Sequence, residues 1–378
     1  MDNKLLSWIE IDKSALLNNL TAFKKLVGSK VEVMPIIKSN AYGHGLIEVA
    51  KIFAPKSNWL GVVNLDEALL LRKNRINNKI FVLSYFDEKK LSLAAGKNIV
   101  FPVYTVEMAK MISLAGLKAR KRIPVHIKID VGTSRIGILP NEAINFAKKI
   151  KKLAGLEIQG AFSHLADSEN FDQSYTNSQI KVFQEAIHTL EENGFNLRYK
   201  HLACSASTII NPRSRFDLVR VGIGLYGLWP SKGAKDLFKR HLNGFKLIPA
   251  LSWHTKVIQI KSIPERTNIG YGCTYKTKRL TKLAILPIGY WDGYDRKLSS
   301  KGEVLISGKR AKILGRVCMN MMMIDTTDIS NVRAGDRATL IGRQGREYIG
   351  AEELAEKAGT INYEMVARIN PLIPRIVV

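Results

Sequence analysis

Cysteine is scarce in this chain: Cys204, Cys273 and Cys318 are the only three among 378 residues, far apart and without a C-x-x-C pair. That excludes a disulfide framework and argues against a structural zinc site, leaving the three thiols as buried small residues or neighbours of a site. Long apolar runs are also missing; none approaches the ~20 residues that span a bilayer. The opening MDNKLLSWIEID has neither the apolar core nor the cleavage site of a signal peptide, so a cytoplasmic protein is expected. No G-x-G-x-x-G follows the first strand-like segment, which weighs against a dinucleotide-binding fold. Acidic residues are few: 33 Asp and Glu face 58 Lys and Arg, a formal net charge of +25. Such an excess is compatible with nucleic-acid binding, yet the basic residues are spread along the chain. No basic stripe is interleaved with aromatics. The charge reads as solubility with some attraction for anionic ligands, and neither nucleic acid nor a membrane is expected as a partner.

What is present is regular. Hydrophobic residues make up 46% and charged residues 24%, the profile of a soluble globular protein with room for one large domain or two. After SWIEID and a helix over 13–27, short apolar runs recur near 31–37, 59–63, 79–84, 98–103, 123–130, 156–163, 199–204 and 217–221. Amphipathic helical segments fill most intervals. SQIKVFQEAIHTLEENG puts Ile180, Phe183, Ile187 and Leu190 on one stripe, and NEAINFAKKIKKL does the same with Ile144, Ala147, Ile150 and Leu153. NLDEALLLRKN opens as a capping box, with Asn64 followed by Glu67. Eight strands alternating with helices over about 200 residues fit a (β/α)8 barrel better than a doubly wound sheet. From about residue 240 short strands broken by Gly, Asn and Lys predict a mainly β domain. The expected domains are 1–240 and 241–378, divided within 227–245, with the first strand near 7–12 a candidate to join the second.

The organising stretch is VEVMPIIKSNAYGHG, residues 31–45. Its apolar residues at odd and even positions suggest a strand buried on both faces, and Lys38 is the first charge after it. The carboxyl ends of barrel strands carry the chemistry, and a desolvated lysine there can attack a carbonyl to form a Schiff base. Alone, Lys38 would be an ordinary strand-capping lysine. The other strand ends offer Tyr42, Lys128, Asp130, Arg135, His164, Ser205 and Arg220, then Gly222 and Gly224. Taken singly these read as a core histidine, a helix cap, an ion-pair arginine and turn glycines. Gathered over one mouth they make a site for anions. Ser205 with the amides of Gly222 and Ile223 would sit where barrels often hold a phosphate. A phosphate pocket and a Schiff-base lysine, with no dinucleotide motif after the first strand, point to pyridoxal 5′-phosphate.

The motifs MPIIKSNAYGHG, HIKIDVGTSRIG, SHLADSE, CSAS, VRVGIGLYG, IGYGCTY, PIGYWDGY, GRVCMN and TINYE, in this order, closely resemble the alanine racemases over nearly the whole chain. The resemblance implies a barrel followed by a β domain, interconversion of L- and D-alanine for peptidoglycan, and a homodimer with shared active sites. By it Lys38 carries the cofactor and is one catalytic base. Tyr271, supplied by the partner subunit, is the second base and is linked through His164 to Arg220, which hydrogen-bonds the pyridine nitrogen. Tyr42, Ser205, Gly222, Ile223 and Tyr363 match positions that hold the phosphate. Arg135 matches the contact to the ring oxygen and the substrate carboxylate, Met319 a backbone donor to that carboxylate, and Tyr290 the substrate entrance. Lys128 matches a lysine that family members carbamylate. Asn320 departs from the pattern, standing where the family usually has aspartate. Competing readings are a decarboxylase of the same architecture, a racemase of broader specificity, and non-catalytic binding driven by charge, which would give salt-sensitive nucleic-acid affinity.

Overall fold

The computed structural model describes residues 5–241 and 245–378. The chain forms two compact units. One is Ala15–Ser39 with Val49–Ile248; the other joins the described residues up to Ser14 to Asn40–Glu48 and Pro249–Val378. Among the described residues no helix is long and apolar enough to cross a membrane.

After β1 (Ser7–Ile11) and α1 (Lys13–Val27), the first unit is built on β2 (Glu32–Pro35), β3 (Trp59–Asn64), β4 (Lys79–Tyr85), β5 (Ile99–Val103), β6 (Ile123–Lys128), β7 (Leu156–Phe162), β8 (Tyr199–His201) and β9 (Leu218–Val221). Each falls on one of the expected apolar runs. β3 to β8 form a parallel sheet in chain order and β2 pairs with β9. The ring is joined by backbone bonds, from Ile37 N–H to Gly61 O (2.8 Å) and from Arg220 N–H to Ala203 O (3.0 Å). This is the expected α/β barrel.

Its interior is filled by rings rather than open space, as barrels of this size require. Phe81 meets His126 at 5.1 Å and Phe162 at 5.0 Å, and Trp59 meets Tyr199 edge-on at 4.9 Å. Fully burying side chains of this size is worth about 1.5–3 kcal/mol each. The outer helices follow from local chemistry. Asn64 Oδ1 accepts from Glu67 N–H (3.0 Å) and starts the helix Leu65–Lys73. The expected capping box is only half made, because Glu67 turns its carboxylate to Val63 N–H and Ser39 N–H instead. The helix Ser174–Glu192 buries the predicted Ile180, Phe183, Ile187 and Leu190. The helix Ala143–Lys151 departs from expectation. It buries Ala143, Phe146, Ala147 and Ile150, because Phe146, its bulkiest apolar side chain, turns the stripe toward itself and leaves Ile144 half-buried. Within the expected boundary, Lys232–His241 form a helix, and residues 242–244 lie outside the described ones.

The second unit is mainly β. β1 pairs antiparallel with Leu251–Lys256 and parallel with Arg375–Val377, inside a seven-stranded sheet. The helix Ala351–Ala358 ends at Gly359, whose φ of 68° closes it as a left-handed cap.

Candidate active site

Past β2 the backbone does something the residue types do not ask for. Ser39, Asn40, Ala41 and Tyr42 have φ of 56°, 53°, 52° and 54°, a single left-handed turn made without glycine. Such a conformation costs roughly 1–2 kcal/mol per residue and persists only where its surroundings impose it. Ser39 N–H donates to Glu67 Oε1 at 2.7 Å. Asn40 Oδ1 accepts from Leu46 N–H at 2.9 Å. Gly43 has φ +83°, and a Cβ there would collide with the Val366 carbonyl. Lys38 stands at the head of this turn, beyond the carboxyl end of β2.

Around Lys38 the barrel unit collects cations. Burial first, then the guanidinium of Arg135 and that of Arg220, push the Lys38 amine below the ordinary lysine range, with Glu67 opposing. Lys128, at the end of β6, is 2% exposed and lies over the Phe162 ring at 4.7 Å. Burial and Arg220 push its amine far down; Asp130 opposes and Arg135 adds. His164 is held neutral by burial, by Arg220 and by Lys128. Asp130, the one acid among the strand-end candidates, is committed to its own loop. It accepts from the amides of Gly132 (3.0 Å), Thr133 (2.8 Å) and Arg135 (3.1 Å). Burial raises its carboxyl, but these donors outweigh that and hold it below the usual range.

Arg220 is 5% exposed and heavily hydrogen-bonded. It donates to the carbonyls of Ser163 (2.6 Å), His201 (2.9 Å) and Leu202 (3.0 Å), to His201 Nδ1 (2.9 Å) and to His164 Nδ1 (3.3 Å). Burial lowers even this guanidinium to about 10, so it stays a cation at neutral pH. Beyond β9, Gly222 N–H and Gly224 N–H converge on Ser205 Oγ at 2.9 and 3.4 Å, and Ile223 opens the short helical turn Ile223–Tyr226. A Cβ on Gly224 would press on the Phe23 ring at 2.6 Å. Glycine is therefore required there by packing. Tyr226 OH donates to Ile36 O at 2.9 Å and ties this turn to the segment before Lys38.

The remaining predicted residues belong to the second unit. Tyr42 and Tyr363 lie with ring centroids 6.2 Å apart. Tyr271 sits at the tip between Asn268–Ile269 and Tyr275–Lys276, flanked by Gly270 and Gly272, each at φ 72°, and is 72% exposed. Tyr290 N–H donates to Cys318 O and Trp291 N–H to Met319 O, both at 3.0 Å, so Tyr290 and Met319 share one exposed surface with Asn320. Cys273, two residues after Tyr271, is exposed rather than buried.

Sequence reasoning missed three participants. Glu67 buttresses the left-handed turn. His201, within β8, is stacked on Phe162 at 5.0 Å and holds Arg220. His126, within β6, contacts His201 Nε2 through Nδ1 at 2.8 Å. A histidine at an inward position of each of two strands is the only signal the sequence carried.

The donor set fits a phosphorylated aldehyde coenzyme: a lysine amine with a lowered pKa, a guanidinium that keeps its protons, and amides converging on a hydroxyl. Comparison with known proteins agrees. Residues 11–230 match the family described as alanine racemase, N-terminal domain, and 250–377 the C-terminal domain. The alanine racemase of Methanococcus maripaludis is 42% identical over 371 residues, covering 98% of each chain. The structure of alanine racemase from Bacillus anthracis with bound L-Ala-P has 38% identity and a TM-score of 0.92, covering 99% of this chain and 95% of that one. A histidine racemase from Leuconostoc mesenteroides has 30% identity and a TM-score of 0.89, covering 99% and 98%. The chain belongs to the alanine racemase family of pyridoxal phosphate-dependent isomerases.

Proposed function

We propose that the enzyme interconverts L- and D-alanine with two bases, Lys38 and Tyr271, the latter contributed by a second copy of the chain. The observation that carries this reading is Lys38 itself, at a strand's carboxyl end with burial and two arginines favouring the neutral amine. Pyridoxal phosphate, when bound, supplies an aldehyde for an amine to condense with and an electron-withdrawing system that stabilises negative charge at the α-carbon. The chain does the rest. By the family resemblance Ser205 and the amides of Gly222 and Ile223, and in the second unit Tyr42 and Tyr363, would be the phosphate-holding residues, and Arg220, with His164 beside it, would meet the ring nitrogen. Because a guanidinium does not readily surrender a proton, Arg220 would leave the ring nitrogen of a bound coenzyme largely unprotonated, making it a weaker electron sink. That disfavours side reactions such as transamination.

Racemisation removes the α-proton on one face and delivers one on the other. A single immobile base tends to return it to the same face, so a second group is needed. A phenol with a free pKa near 10 works as a base only where positive charge favours its anion; the His164–Arg220 pair is suited to that. Arg135 and the Met319 amide orient the substrate carboxylate, and Tyr290 narrows the entrance. Exposure of Tyr271, Tyr290, Trp291 and Met319 supports their burial against a partner. Lys128, buried between Arg220 and Arg135, is suited to take up carbon dioxide as a carbamate that holds Arg135. An intact mass without the added carbon dioxide under non-acidic conditions would remove that part of the reading.

The test is to incubate cofactor-loaded protein with L-alanine and follow D-alanine by chiral analysis, with Lys38→Ala as control. Borohydride reduction should fix the coenzyme on Lys38 and nowhere else. Carbon dioxide release in place of D-alanine would favour the decarboxylase. The likeness to a histidine racemase makes L-histidine the second substrate to try.

A further inference from the structure

The barrel has a second mouth. At its amino-terminal end, opposite the strand ends that carry Lys38 and Arg220, a pocket of about 770 Å³ is lined by Trp59, Lys79 and Tyr199, the first residues of β3, β4 and β8, and by Glu32, the first of β2. Lys24, Lys56 and Arg198 complete its charged wall. Four cations thus face one carboxylate, and Glu32 already accepts from Asn58 Nδ2 at 3.1 Å. Lys79 is set deeper than a surface lysine. Its Nζ lies 5.1 Å from the centroids of both the Trp59 and Tyr199 rings and donates to Tyr199 OH at 2.9 Å. No carboxylate neutralises it within ion-pair distance among the described residues. The indole N–H of Trp59, fully buried in the pocket floor, has no hydrogen-bond partner among the described residues.

We propose that this mouth is a binding site for a small polyanion bearing phosphoryl groups. Four cations facing a single carboxylate, with Lys79 half-buried and held over two rings and Lys24, Lys56 and Arg198 exposed at the rim, favour a ligand of at least two negative charges over a monovalent ion. The volume is that of a small-molecule site, within the range of about 300–1,000 Å³, and exceeds what a lone phosphate fills. It also gives part of the chain's large basic excess a use. The site bears on the interior: Lys79 and His126 pack on the same two rings, Trp59 and Tyr199. The positive charge of Lys79 helps, after burial, to keep His126 neutral. An anion beside Lys79 opposes that influence.

The experiment is calorimetric titration of the cofactor-loaded enzyme with pyrophosphate and, separately, ADP at fixed ionic strength. Using the loaded enzyme keeps the cofactor's own phosphate site filled. Saturable binding, near one per chain, should weaken about tenfold or more in Lys79→Gln and in Arg198→Gln. Arg198 is exposed, so its variant keeps the test valid should Lys79→Gln fold poorly. The double change Lys148→Gln, Lys149→Gln removes more charge, from the exposed face of the helix Ala143–Lys151, and should leave binding unchanged. Pyrophosphate binding as tight as ADP assigns the affinity to the phosphoryl groups; tighter ADP binding adds an organic ester. Absence of saturable binding by both, or equal weakening by the double control, overturns the proposal.

Discussion

Arg220 donates a hydrogen bond to Nδ1 of His201 at 2.9 Å, and this one contact sets where the protons sit inside the barrel. A guanidinium only donates, so His201 Nδ1 is bare and its proton is on Nε2. That N–H donates to His126 Nδ1 at 2.8 Å. The His126 proton is then on Nε2, which is buried without a partner among the described residues. Both rings are held neutral by burial, with Arg220 adding to the effect on each.

Arg220→Lys should therefore be a severe change despite keeping the charge. An ammonium cannot serve three carbonyls and two imidazoles in a planar fork, so acceptors are stranded in the interior. The expected loss is about 2–4 kcal/mol of stability, read from urea unfolding, together with weaker cofactor retention on dialysis.

The neutral histidines make stability depend on pH in a definite direction. His126 has its folded pKa pushed down to about 3 by burial, then by Lys79 and Arg220, beneath an unfolded value of ~6.5. Below pH ~6.5 the unfolded chain takes up a proton the folded chain refuses, so stability is full at neutral pH and falls as pH drops toward 3. From pH 7 to pH 5 this group alone removes about 2 kcal/mol. His126→Gln should be less stable at pH 7, yet lose less between pH 7 and pH 5 by about that amount, measured as urea unfolding free energies.

Arg135→Gln removes a cation beside the Lys38 amine, one of the forces that depress it after burial. The amine pKa should rise, so reaction of the apoenzyme with pyridoxal phosphate should need a more alkaline pH. Stopped-flow absorbance across pH gives the midpoint; a midpoint unmoved or displaced toward acid contradicts the assignment.

Tyr271→Phe should lower racemisation in both directions by about 10²–10⁴, the usual worth of a positioned general base. Exchange of the α-hydrogen with deuterium oxide should survive for one enantiomer only, because under the proposed two-base mechanism Lys38 would still serve its own face. Equal exchange from both enantiomers would count against two bases.

Asn320→Asp restores a carboxylate on an exposed loop next to Met319. A modest change in KM and pH profile is expected, within about threefold, and steady-state kinetics in both directions would detect it.

Much of the barrel was legible because each strand is a short apolar run covered on both faces, and α1 ends where it was predicted to end. The left-handed turn at 39–42 was not. Ser, Ala and Tyr carry no preference for that conformation; its first amide is held by Glu67, a residue farther along the chain. His126 and His201 escaped for a related reason. A histidine in a strand is unremarked until the barrel closes and brings two of them within hydrogen-bond reach. The stripe of 143–151 was misplaced because periodicity gives a spacing, while the largest side chain decides which way the helix faces.

The two family matches divide the chain at one place, between 230 and 250, whereas the folded units are interleaved. The backbone passes from one to the other after Ser14, Ser39, Glu48 and Ile248. No single cut releases either piece whole: a fragment ending at residue 248 would still carry Asn40–Glu48 and β1, stripped of the neighbours that complete them. Halves made separately are thus poor candidates for reassembly, and exchanging C-terminal portions between relatives would have to carry the segment just past Lys38 along with them.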